Sequence, residues 1–391
     1  MFKKNILIYG ATGSIGSSVL NLIRNNREHF NVVGVTCNSN VDKLLDIANE
    51  FECHKLGINN KSKAQSYSEI KNYNVHIGLE EFSKLIDNKV DIIIFAIAGS
   101  SSLSLLMDVA VSGKIIGIAN KECIICLGKT LLDLAIKSST EIVPLDSEHN
   151  ALYQLMKNKN KESIRKYIIT ASGGSFLNLN KTEMEKITPN QAISHPKWKM
   201  GKKISVDSST LMNKGLEIIE ACILFNINSN KINAIVHPES IVHGIIEFND
   251  RSSHAFLSQP NMEIAISSIL FEDNIIDLKD HELDLIKLKS LNFFEIDNSK
   301  FNAIKLAKFS LNEGGLMPAV LNYSNELMVE LFLNKAISFN EITINNEKIM
   351  NKFLNDGCNV ATPGITDLNN AFSIINSYIE PNNSIIDRFN R

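Results

Sequence analysis

The stretch NILIYGATGSIGSSVLNLI, residues 5–23, restricts the fold more than any other part of the chain. An apolar run of strand length meets a turn holding Gly10, Gly13 and Gly16, and a helical apolar pattern follows at once. Glycines in such a strand-to-helix turn let the backbone bend tightly and let its N–H groups approach a pyrophosphate, which the helix N-terminus also attracts. The spacing is G-x-x-G-x-x-G rather than G-x-G-x-x-G, so packing alone is the competing explanation. Further runs, NVVGVT, VDIIIFAIA, KIIGIA and EIVPL, read as buried parallel strands alternating with helical segments. The expected class is α/β, with an N-terminal doubly wound Rossmann-like parallel sheet over residues 1–148.

Beyond that point the texture changes. YIITAS and NAIVHPESIVHGIIEF read as strands, and a helix is expected to begin near Ser208 or Ser209, so residues 149–270 are expected to form a central α+β catalytic domain. Residues 271–296 suit a linker, and the helical periodicity of 297–391 predicts a C-terminal helical bundle. A chain of 391 residues has room for several domains of ordinary size. Forty basic and forty-three acidic residues give a formal charge of −3 without long runs of one sign, which argues against nucleic acid and anionic membrane as partners. A small molecule is the expected partner. The apolar runs are too short for a membrane span and the start is unlike a signal peptide. Six scattered cysteines, with only Cys123 and Cys126 as C-x-x-C, read as buried structural thiols in a reducing cytoplasm.

Polar groups concentrate in three places. In VPLDSEHN, Asp146 and Glu148 share one side of an extended chain, with Ser147 pointing elsewhere. The pair suits hard-oxygen ligation of Mg²⁺ or Mn²⁺, and equally suits the N-cap and first turn of a helix. In SVDSSTLMNKGLE, a helix brings Asn213 and Lys214 beside Glu217 at i, i+4 and i, i+3, with serine hydroxyls and free N–H donors at its start, an arrangement that holds phosphate. Lys214 and Glu217 could also be an ordinary surface pair. Ser172, Gly173 and Gly174 make a second anion-binding turn, while His195 and the single tryptophan, Trp198, occupy a loop able to close over a ligand. His237 and His243 read as structural histidines. After the second strand, Thr36 to Asn40 contain no acid to meet the ribose hydroxyls of NAD, which favours NADP, yet no basic residue is there either and Lys43 is the nearest.

Taken in order, GATGSIG, ANKE, VPLDSEHN, SGG, HPKWxMG, SVDSSTLMNKGLE and the late NYSNE resemble the 1-deoxy-D-xylulose 5-phosphate reductoisomerase family over nearly the whole chain. The resemblance implies an NADPH-binding domain, a connective catalytic domain, a C-terminal helical domain and a homodimer. It implies divalent-metal ligation by Asp146, Glu148 and Glu217. Ser172, His195, Ser208, Asn213 and Lys214 would bind the sugar phosphate, with Ser147 and Lys121 at its reacting end and Glu148 and Glu217 adjoining it. Lys121, Glu148, His195 and Lys214 would act in catalysis. Thr12, Gly13, Ser14, Ile15, Asn120, Glu122 and Gly201 would line the NADPH site, together with Asn38, Ser39 and Asn40, which stand where many members have Gly-Lys-Asn. The implied reaction is metal-dependent rearrangement and NADPH-dependent reduction to 2-C-methyl-D-erythritol 4-phosphate, in the methylerythritol phosphate pathway of isoprenoid biosynthesis.

Overall fold

The computed structural model describes residues 3–194, 201–272, 276–278 and 281–379. The chain divides into two compact units, one of Met1–Cys123, Lys129–Lys159 and Phe256–Asp284, the other of Ile124–Gly128, Asn160–Ala255 and Leu285–Arg391.

The first unit is built on a parallel sheet of β1 (Lys4–Tyr9), β2 (Phe30–Cys37), β3 (Lys55–Ile58), β4 (Asn74–Ile77), β5 (Ile92–Phe95), β6 (Ile115–Ile118) and β7 (Glu141–Pro144), ordered β4-β3-β2-β1-β5-β6-β7. Strands buried on both faces need apolar residues at every position, which is why Ile92 to Phe95 are wholly buried. The order reverses between β1 and β5, and ligands of open α/β sheets sit in the crevice at such a switch point. Register makes that crevice continuous: Tyr9 pairs with Phe95, Phe95 with Ile118, and Ile118 with Pro144. Four strands therefore end level, and the segments that follow them line one edge. Helix α1 (Ser14–Arg24) follows β1 and α2 (Ser147–Met156) follows β7.

The boundary read from sequence at residue 148 is corrected by packing. Helix α2 continues the first unit, and helix Met262–Leu270 returns to it, burying Ile266, Ile269 and Leu270 in the same core as Ile6, Ile8, Val143 and Leu145. Asn150 fastens this return by donating from Nδ2 to the Pro144 carbonyl at 3.0 Å and to Ser268 Oγ at 2.8 Å.

The second unit carries a sheet of β8 (Ile164–Ala171), β9 (Ile232–Val236), β10 (Val242–Phe248) and β11 (Ser253–Leu257), ordered β11-β10-β8-β9. The expected single strand through 233–248 is two strands, because Pro238 and Ser240, the latter at φ 56°, turn the chain between them. The expected helix start near Ser208 is also corrected. Helix α3 (Lys202–Ser209) already includes Ser208 in its last turn, and Leu211, left-handed at φ 57°, separates it from α4 (Met212–Phe225). Helices α5 (Ala303–Glu313), α6 (Met317–Leu333), α7 (Phe339–Asn355) and α8 (Ile365–Ile379) form the helical C-terminal part. A side chain at Gly215 of α4 would reach within 2.9 Å of the Ala303 carbonyl, so glycine permits the close approach of α4 to α5.

Candidate active-site residues

In the first unit, the glycine turn is set by sterics. Gly10 has φ +84°, and a Cβ there would lie 2.5 Å from the Ala96 carbonyl oxygen; one on Gly16 would lie 2.4 Å from the Gly10 oxygen. No side chain fits at either point, so the turn stays tight against the end of β5. Gly13 is the N-cap of α1 and supplies no side chain to the first-turn N–H groups, while Thr12 and Ile15 are half-buried and Gly13 and Ser14 exposed. This is the chemistry of a dinucleotide cradle: open backbone donors at a helix N-terminus, with glycine wherever the backbone must be approached. The end of β2 is tied to the turn through Gly10 N–H donating to Thr36 Oγ1 at 2.9 Å and Ala11 N–H to the Thr36 carbonyl at 2.8 Å. Asn38, Ser39 and Asn40 follow, all exposed; Asn38 accepts from Asn59 Nδ2, and Asn40 caps helix Val41–Glu50 by accepting from the Lys43 N–H.

Further along the edge, Asn120 is wholly buried. Its Nδ2 donates to the Ile97 and Gly99 carbonyls and its Oδ1 accepts from Cys123 N–H at 2.7 Å. The side chain shapes the loop after β5 and starts helix Lys121–Leu127, and that helix start places buried Lys121 and Glu122. Because β6 and β7 end level, Lys121 meets Asp146: Nζ lies 2.6 Å from Oδ2, with the side chains only 6% and 15% exposed. Asp146 is also the N-cap of α2, its Oδ1 accepting from Glu148 N–H at 3.3 Å, and His149 Nδ1 lies 3.2 Å from the same oxygen. The capping geometry and the acidic pair thus coexist. The expectation that Ser147 points elsewhere is corrected, since its Oγ donates to Glu148 Oε2 at 2.6 Å once the helix has begun.

In the second unit, β8 delivers Ser172 and the Gly173–Gly174 turn, with φ of +89° and +66°. A Cβ on Gly174 would lie 2.7 Å from the Ser208 carbonyl oxygen, so glycine seats this turn on the end of α3 and brings Ser172 and Ser208 into one neighbourhood. The next turn of chain supplies α4. There Asn213 Nδ2 donates to Glu217 Oε1 and Lys214 Nζ to Glu217 Oε2, so amide, ammonium and carboxylate form one cluster as the spacing requires. Lys214 and Glu217 are 3% and 1% exposed, which excludes a solvated surface pair. Glu220, one turn on, is equally buried. Glu217 and Glu220 place two carboxylates on one buried stretch, and carboxylate oxygens are the donors Mg²⁺ and Mn²⁺ prefer.

A supporting network escaped the sequence reading. Asp207 of α3, 1% exposed, takes Lys203 Nζ at 3.0 Å on one oxygen and Asn325 Nδ2 at 2.6 Å on the other, and Asn346 Nδ2 donates to Asn325 Oδ1 at 3.1 Å. This locks α3, and with it Ser208, to α6 and α7. Gly201, the N-cap of α3, accepts from both the backbone N–H and the Oγ of Ser205. His195 and Trp198 lie outside the described residues. His237 is structural, its Nδ1 2.8 Å from the Asn292 carbonyl and its ring stacked on Phe293 at 4.7 Å.

Profiles of three domains match the chain: 1-deoxy-D-xylulose 5-phosphate reductoisomerase over residues 6–128, its C-terminal domain over 142–225, and the DXP reductoisomerase C-terminal domain over 257–374. The 1-deoxy-D-xylulose 5-phosphate reductoisomerase of Wolbachia pipientis is 42% identical over 348 residues, covering 87% of this chain and 88% of its own. The chain belongs to the 1-deoxy-D-xylulose 5-phosphate reductoisomerase family. The enzyme of Clostridium perfringens is 38% identical over 356 residues, 90% of this chain and 93% of that one. Among solved structures, the Zymomonas mobilis enzyme in complex with NADPH superposes with a TM-score of 0.86 at 34% identity, covering 96% and 97% of the two chains. A DOX-P reductoisomerase in complex with NADPH, fosmidomycin and magnesium gives 0.87 at 33% identity, with 96% and 98% covered.

Proposed function

We propose that this chain converts 1-deoxy-D-xylulose 5-phosphate to 2-C-methyl-D-erythritol 4-phosphate, a step of isoprenoid biosynthesis, using NADPH and a divalent cation, Mg²⁺ or Mn²⁺. Family membership supports the reaction, and the observation that carries it onto these residues is the level sheet edge holding the glycine turn, Lys121 and Asp146–Glu148 side by side. Asp146, Glu148 and Glu217 hold the cation, and Thr12 to Ile15 hold the dinucleotide phosphates. When bound, the cation supplies Lewis-acid polarisation of the substrate's ketone and hydroxyl oxygens, and NADPH supplies the two-electron reduction.

The chain's own groups do the rest. Ser172, Ser208, Asn213, Lys214 and His195 bind the sugar phosphate, where donor hydroxyls and an ammonium match a dianion. Anchoring the phosphate away from the reacting carbons provides binding energy for orienting them. The Ser147 hydroxyl, already donating to Glu148, is placed to accept a hydrogen bond from a substrate hydroxyl and pass a proton on to the Glu148 carboxylate. Lys121, fixed by Asp146, holds a positive charge at the reacting end. A homodimer is proposed with this reading, the exposed Leu285, Ile286, Phe293 and Phe294 of the second unit being apolar surface that a second copy would cover. A cytoplasmic location accords with six free cysteines.

The test is the loss of NADPH absorbance with 1-deoxy-D-xylulose 5-phosphate, run with and without added Mg²⁺ or Mn²⁺. Cation-dependent loss with equimolar product supports the proposal. Undiminished NADPH oxidation after exhaustive chelation would assign the chain to metal-independent reduction instead.

A further inference from the structure

The geometry points to Lys43 as the residue that selects a dinucleotide carrying a 2′-phosphate. This deepens the NADPH reading above and rests on it. On a doubly wound sheet the adenosine ribose lies beyond the end of the second strand, where an acid meets the 2′-hydroxyl of NAD and a cation meets the 2′-phosphate of NADP. The segment Thr36 to Asn40 provides neither charge. Lys43 reaches back from the following helix to fill the gap. Its Nζ donates to the Thr12 carbonyl and to Ser17 Oγ, both at 2.9 Å, and Ser17 Oγ donates onward to the Gly13 carbonyl at 2.7 Å. The ammonium therefore stands between the glycine turn and the end of β2, which are themselves hydrogen-bonded through Thr36.

Two features make this a recognition charge rather than a structural staple. An ammonium has three donors, and the two it uses go to neutral oxygens, so a donor and the full charge remain to be matched. The adjacent acid, Asp42, is engaged by Tyr67 Oη at 2.7 Å, and among the described residues no carboxylate forms an ion pair with Lys43. Its backbone is fixed as well, because Asn40 accepts from its N–H at 3.2 Å. A half-buried, positioned and uncompensated cation at this point of the fold matches a phosphate dianion.

The test measures binding without turnover. Adenosine 2′,5′-bisphosphate and 5′-AMP are titrated calorimetrically into the wild type, Lys43→Met and Lys43→Arg, and kcat/KM is compared for NADPH and NADH. Loss of one charge-assisted contact weakens the bisphosphate by about tenfold to a hundredfold in Lys43→Met. Binding of 5′-AMP stays within about twofold, since it lacks the 2′-phosphate; Lys43→Arg keeps most of the preference, and the NADPH/NADH ratio of kcat/KM falls with the bisphosphate affinity. Equal weakening of both nucleotides, or no weakening of either, overturns the assignment. Failure of the wild type to bind any of the four nucleotides would instead sink the dinucleotide reading itself, and the role of Lys43 with it.

Discussion

Replacing Gly16 by alanine separates the two roles that a glycine can have in a strand-to-helix turn. If Gly16 were only a poor helix former, the substitution would stabilise α1 by about 1 kcal/mol, the helix-propensity difference between the two residues. The structure sets a steric cost against that gain. The new Cβ would lie 2.4 Å from the Gly10 carbonyl oxygen and 2.6 Å from Ala11 Cα, both backbone atoms that cannot rotate away. Ordinary contact needs roughly 3.5 Å, so the turn must move by about 1 Å. Overpacking of this kind costs about 1–3 kcal/mol, leaving a net loss of about 0–2 kcal/mol. The larger effect falls on the dinucleotide, because the displaced backbone carries the N–H groups that meet the pyrophosphate. Losing one such charge-assisted bond raises the Kd for NADPH by about tenfold or more. Fluorescence titration of NADPH and urea unfolding read the two effects separately. Gly13→Ala is the internal comparison, since its Cβ would meet the same oxygen only at 3.3 Å. A Gly16→Ala protein that binds NADPH within about twofold of the wild type and is about 1 kcal/mol more stable would refute the steric reasoning.

Asp146 should separate capping from charge. Asp146→Asn keeps an N-cap side chain and Asp146→Ala does not, so the alanine variant should unfold about 1 kcal/mol more easily in urea than the asparagine variant, while both lose turnover; equal unfolding midpoints would mean that the cap contributes nothing. The thiols of Cys53, pushed up to about 11 by burial, and of Cys37 and Cys222, pushed up to about 12 by burial, should remain protonated and unreactive toward a thiol reagent at pH 8 in the native protein, and react once it is denatured. Fast native labelling of Cys37 would contradict the packing described at the end of β2.

What the sequence reveals and what it hides follow from how local each feature is. Strands β1, β2, β5, β6 and β7 announce themselves because each carries an uninterrupted apolar run, as burial on both faces requires, while β3 (KLGI) and β4 (NVHI) are four residues each among polar neighbours and pass unnoticed. The Asn213–Lys214–Glu217 cluster is legible because helical spacing alone brings it together. The break at Leu211 is not, since leucine in a left-handed conformation leaves no local signature. The return of Met262–Leu270 to the first core depends on tertiary packing, as does the contact of Asp207 with Asn325, 118 residues away. The expectation for Ser147 fails because it extends strand periodicity beyond Pro144, where β7 ends, to Ser147 and Glu148, which already lie in the helix that Asp146 caps.

The central claim is that Asp146, Glu148 and Glu217 act on one cation, and Mn²⁺ binding followed by electron paramagnetic resonance tests it most directly. One Mn²⁺ per chain is expected for the wild type. In Glu217→Gln, affinity should fall by tenfold or more, the order expected for loss of one charged ligand, with turnover abolished and NADPH affinity nearly unchanged. Wild-type Mn²⁺ affinity and near-normal turnover in that variant would contradict the account.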